Sequence, residues 1–86
     1  MKIKNMNDVK KCLGKKVKFQ HNSMLVPVIG TIRKGVVNDF EGYEVGIDEN
    51  TYLVVYDELD IYGCSWCDID DYCFYNKDII VFETIE

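Results

Sequence analysis

Lys16-Val17-Lys18-Phe19-Gln20 decides how the chain is read. Polar and apolar side chains alternate along it, and a period of two places Val17 and Phe19 together on one face of a half-buried strand. Gly14, just before it, suits the left-handed position that ends many helices. Upstream, Val9 and Leu13 are four apart on one helical face. Asn5 or Asn7 is a suitable cap, Asp8 suits the positive N-terminal end, and Lys10 and Lys11 suit the other. The expectation is a short helix over 6–13, then a strand. Downstream, His21-Asn22-Ser23 is a turn, and Pro27 keeps that point out of a central strand. Over 28–37, Val28, Ile32 and Val36 are interspersed with Thr31, Arg33 and Gly35 in a second strand. Gly30 and Gly35 there allow the bend or bulge that closes a small barrel.

The rest of the chain keeps to short strands. Residues 38–42 carry turn chemistry. Tyr43, Val45 and Ile47 alternate with Glu44, Gly46 and Asp48. Glu49-Asn50 is then the tip of a tight hairpin returning through 51–56. Residues 57–71 form an acidic, aromatic loop, 72–75 a short strand, 76–78 a turn, and 79–82 the last strand. One helix followed by five or six short antiparallel strands makes a mainly β domain. A closed or nearly closed barrel is favoured, because closure limits exposed edges. With 86 residues, the chain is expected to be a single domain over 1–86.

The order Gly14-Lys-Lys-Val-Lys-Phe, then Gly30-Thr-Ile-Arg-Lys-Gly-Val-Val, then a hairpin and a final strand resembles the SH3-like small barrels, including Tudor and KOW-type domains. The resemblance spans about 14–85, with the barrel itself over 15–85. It implies a binding module of the kind that serves as an adaptor for proteins or nucleic acids. Fold alone does not fix which.

Charge is divided along the chain. Nine of the ten basic side chains fall within 1–34, where Asp8 is the one acid. Fourteen of the fifteen acids fall within 35–86, where Lys77 is the one base. The net charge is −5. Such asymmetry points to a charged partner, since summed charge governs steering and non-specific binding. The acidic part also holds ten of the eleven aromatic residues. No apolar stretch is long enough for a signal peptide or a membrane helix. The expectation is a cytoplasmic protein with reduced cysteines.

Motifs for chemistry are sparse. Cys64-Ser-Trp-Cys67 is a C-x-x-C pair, and Cys73 follows six residues later. Such thiolates bind zinc from a tight turn if Asp68, Cys12 or His21 completes the set. The bland alternative is small hydrophobes in a reducing core. A thioredoxin-like role would need a helix after the pair within a βαβ unit, which the pattern lacks. Counting from Asp68, the sixth and twelfth positions are Cys73 and Ile79, so an EF-hand loop fails. The single histidine, His21, has no nucleophile and orienting partner around it. The expectation is therefore a non-enzymatic protein without a cofactor.

Two opposed surfaces remain. Carboxylates and tyrosines suit a partner rich in arginine and lysine, through bidentate acceptors and cation–π contacts. On this reading Asp57, Glu58, Asp60, Asp68, Asp70 and Asp71 meet a basic protein surface, with Tyr62 and Trp66 as anchors. That surface would be the cleft of a nucleic-acid-binding protein, and the chain a nucleic-acid mimic. The short, Lys/Asn/Ile/Tyr-rich sequence resembles accessory proteins of low-GC bacteria and their phages. An inhibitor of a host defence complex is the corresponding expectation. The alternative is a nucleic-acid-binding module in which Lys15, Lys16, Lys18, Arg33 and Lys34 lie together beside Phe19 as a stacking face. The low pI of about 4.7 weighs against it, since such modules are commonly basic. A third reading is a zinc-stabilised adaptor held by Cys64, Cys67 and Cys73, with no role for charge mimicry.

Overall fold

In the computed structural model, residues 1–85 are described; Glu86, the last residue of the expected domain, lies outside them. The elements in chain order are α1 (Met6–Lys11), β1 (Lys16–His21), β2 (Val28–Lys34), β3 (Val37–Asn38), β4 (Glu44–Val45), β5 (Tyr52–Tyr56), β6 (Trp66–Ile69), α2 (Asp71–Tyr75) and β7 (Ile79–Thr84). Asn5 caps α1 by accepting from the Asp8 N–H at 2.9 Å. The helix stops at Lys11, two residues before the expected end. Gly14 does take the left-handed conformation, at φ +85°.

Five strands form one antiparallel curled sheet in the order β6-β5-β2-β1-β7. This is a half-barrel, not a closed one: β6 and β7 are its two edges. Its inner face carries Val17, Phe19, Ile32, Val54, Tyr56 and Phe82, all buried. The concave side is filled by helices instead of further strands. Val9 of α1 and Cys12 just after it are fully buried there, and Phe74 of α2 stacks on Phe82 with ring centroids 6.3 Å apart. Phe82 in turn meets Phe19 edge-on at 5.1 Å. Gly30 lies in the regular ladder between Val17 and Tyr56, not at the expected bulge. Its lack of a side chain serves close packing, because a Cβ there would stand 2.6 Å from the Val55 carbonyl oxygen.

The stretch 43–75 departs from expectation in three places. β4 does not form a hairpin with β5. It pairs back with β3, through Val37 opposite Val45, while β5 is inserted between β2 and β6. Asp39 explains the shorter hairpin: its carboxylate accepts from the N–H groups of Glu41 and Tyr43, each at 2.9 Å, and folds the turn back on itself. The loop expected over 57–71 contains a strand, β6, which completes the β5 edge. The strand expected at 72–75 is the helix α2, because the Asp70 side chain accepts from the Cys73 N–H at 3.1 Å and starts a helical turn. Among the described residues no helix is long and apolar enough to cross a membrane.

Candidate binding surfaces

The charge division along the chain does not survive folding. β1 and β2, which carry Lys16, Lys18, Arg33 and Lys34, occupy the middle of the sheet, and the edge strands β6 and β7 carry Asp68 and Glu83. On the outer face Glu83, Lys18 and Ile29 form one cross-strand row. Arg33, Leu53 and Asp68 form another. Lys16 and Asp57 make an ion pair across this face. Lys16, Lys18 and Arg33 thus share one face, as expected if β1 and β2 pair. Lys34 lies opposite Tyr52 instead, with its ammonium 5.3 Å from the ring centroid, and Lys15 precedes β1.

The eight residues of the expected acidic site divide by what the fold asks of them. The Asp60 carboxylate accepts from the N–H groups of Tyr62 at 2.8 Å and Cys64 at 2.9 Å, and so shapes the β5–β6 connection. Asp57 is held by Lys16, and Asp70 caps α2. Trp66 is half-buried and packs on the outer face against a small second cluster of Leu53, Val55 and Val45. Glu58, Asp68 and Asp71 have no side-chain hydrogen bond or ion pair among the described residues. Tyr62 is 60% exposed.

Two cavities divide this region. One, of 430 Å³, brings Asp68, Asp70 and Asp71 together with Asp48 and with Lys10 of α1, around Tyr52 and Ile69. Asp48 was missed in the sequence because its stretch looked like a hairpin arm. Its carboxylate accepts from the Asn50 N–H at 2.8 Å and turns the chain just before β5. The other cavity, of 410 Å³, is lined by Tyr56, Tyr62, Trp66, Met24, His21 and Cys67 among others. The Tyr56 hydroxyl donates to the Met24 sulfur at 3.8 Å. Burial raises the Tyr56 pKa, and neighbouring Cys67 and Asp60 add to the shift. Burial, with the charge of Asp68, pushes the Cys67 thiol up to about 12. Burial also raises Cys73. Both shifts favour the protonated thiol, which is the less nucleophilic form. Cys64 is exposed before β6, and among the described residues no three His, Cys, Asp or Glu side chains are grouped to hold a metal ion.

Asp39 is the buried acid that sequence reading passed over. Burial alone would raise its pKa. The N–H of Tyr43, the hydroxyl of Ser65 and the N–H groups of Glu41 and Gly42 overcome that and hold it below the usual carboxylate value. The signal was present in the turn-rich stretch 38–42, but nothing local shows that the carboxylate faces inward.

Comparison with protein-family models, curated proteins and solved structures finds no match for this chain.

Proposed function

We propose that the protein is a non-enzymatic binding module of SH3-like type. It engages a basic surface of a nucleic-acid-binding protein through the acidic side of β6 and α2. The observation that carries this reading is the 430 Å³ cavity, where Asp48, Asp68, Asp70 and Asp71 outnumber the one cation, Lys10, around the apolar side chains of Tyr52 and Ile69. A lysine or arginine side chain has the shape for such a site: an apolar stem and a cationic head. Exposed Tyr72 and Tyr75 on α2 extend the surface with aromatic faces. Charge mimicry of nucleic acid, in the service of a phage or mobile element against a host defence complex, is the biological form this binding would take. The nucleic-acid alternative is weakened by geometry, since Lys16 is paired with Asp57 and Lys18 faces Glu83.

The test is titration of a fluorescein-labelled arginine/lysine-rich peptide, followed by anisotropy at rising salt. The variant Glu58→Lys/Asp68→Lys/Asp71→Lys leaves the Asp70 cap in place and so spares α2. Wild type should bind in a salt-sensitive manner, and the variant should lose about tenfold or more. Equal binding by the two overturns the acidic site. A gel shift of duplex DNA that Lys16→Glu/Lys18→Glu removes would favour the alternative.

A further inference from the structure

Lys77, the one base of the acidic part of the chain, has a backbone that asks for a different residue. The end of α2 is a Schellman turn: the Lys77 N–H donates to the Phe74 carbonyl at 3.1 Å and the Asp78 N–H to the Cys73 carbonyl at 2.9 Å. Lys77 occupies its left-handed position at φ +56° and is the only non-glycine residue with positive φ among those described. Glycine takes that conformation without steric cost, and lysine does not. A residue kept in that conformation directs attention to what its side chain can do there.

Lys77 lines a groove of 550 Å³ together with Lys2 and Lys4, more than seventy positions away in sequence. The floor is apolar, formed by Phe74, Ile79 and Ile80 among others. One wall is the free edge of β7. The N-terminal stretch covers only part of that edge, with the Ile3 N–H donating to the Phe82 carbonyl and the Thr84 N–H to the Met1 carbonyl, each at 2.9 Å. Beyond it, no strand pairs with β7 at residues 79–81 on the side away from β1, among the described residues. Ile80 is skipped in the β1 ladder and is 58% exposed. Glu83, the carboxylate of this wall, stands opposite Lys18 in the ladder.

From this juxtaposition we infer that the β7 edge is a docking groove for an extended acidic segment of a partner protein. The segment adds along the edge as a strand, and its carboxylates meet Lys2, Lys4 and Lys77. The open edge supplies backbone groups that another peptide matches, and three lysines over an apolar floor select carboxylates alternating with apolar residues. A nucleic-acid strand would leave the edge amides unmatched. The groove is separate from the acidic cavity beside β6, so the two sites stand or fall independently.

The test uses three labelled probes of equal length: a peptide alternating glutamate and valine, its lysine and valine counterpart, and oligothymidylate. The acidic peptide should bind, more weakly as salt rises, and should shift the backbone amide resonances of residues 79–82. Lys77→Gly and Lys77→Gln should each weaken binding roughly two- to fivefold. Lys77→Gly should at the same time melt above wild type, which separates lost charge from lost structure. Lys2→Gln/Lys4→Gln should weaken binding further without unfolding the sheet. No binding of the acidic peptide, unchanged affinity in both Lys77 variants, or tighter binding of oligothymidylate would each overturn the proposal.

Discussion

The two faces of the sheet are built on different terms. The inner face is one continuous core, running from Val17, Phe19 and Phe82 to Ile32, Val54 and Ile69 beneath α1. The outer face carries Lys16, Lys18 and Arg33 at its centre and has a packed apolar cluster at one corner, where Leu53 and Val55 are covered by Val45 with Val37 and Trp66. The first depends on contacts between elements distant in sequence. The second depends on a two-stranded hairpin that would be marginal alone. Loss of the inner core should therefore unfold the molecule, and loss of the outer corner should release only the hairpin.

Phe19→Ala is the strongest way to test that difference. Phe19 is fully buried and touches both Tyr56 and Phe82. Its truncation should cost about 3–5 kcal/mol, against a total of about 4–13 kcal/mol for a domain this size. Urea denaturation should show a much lower midpoint, or no folded baseline. Trp66→Ala removes a half-buried ring and should cost less, about 2 kcal/mol. Its signature should be local: faster amide exchange in β3 and β4 while β1 and β2 keep their protection. Equal acceleration throughout would mean that the corner and the core are one cooperative unit.

The same contrast explains what could be read from the sequence. β1 was legible because Lys16-Val17-Lys18-Phe19 serves one wet and one dry face, and Asn5 and Gly14 bound the helix before it. β5 was visible as a strand, but its partners were not. The run Leu53-Val54-Val55-Tyr56, buried throughout, belongs to a strand covered on both faces, and so it had to lie inside the sheet. The neighbouring Glu49-Asn50 hairpin signal concealed this. α2 was missed because five residues are too few to show a helical period, and its decisive feature is the Asp70 cap. The acidic site was half legible. Composition located the carboxylates, but only the fold separates Asp57, Asp60 and Asp70, which hold turns, caps and an ion pair, from Glu58, Asp68 and Asp71, which do not. The lysine groove could not be read at all, since it joins residues 2 and 4 to residue 77 through the sheet edge.

Asp39 sharpens the comparison through pH. Its folded pKa is depressed, so its contribution to stability is present above the ordinary carboxylate value of 3.8 and is lost as pH falls through the lower folded value. Acid should therefore loosen the hairpin before the core, read as hairpin amide exchange below about pH 4. Asp39→Asn should loosen the hairpin already at pH 7 and remove that part of the acid dependence. A hairpin that keeps full protection in Asp39→Asn would show that Trp66 packing alone holds it.

The smallest effect tests why the centre of the outer face is charged. Lys16 and Asp57 join β1 to the β5–β6 connection, yet both side chains are about half exposed, at 53% and 43%. Water and salt screen such a pair, so its coupling should be only about 0.2–1 kcal/mol. A double-mutant cycle with Lys16→Met and Asp57→Asn measures it, and the coupling should fade at high salt. A value near zero would mean that these charges keep the bare face soluble without stabilising it. A value well above 1 kcal/mol would make the outer centre a structural element in its own right. It would also remove Lys16 from any surface free to meet nucleic acid.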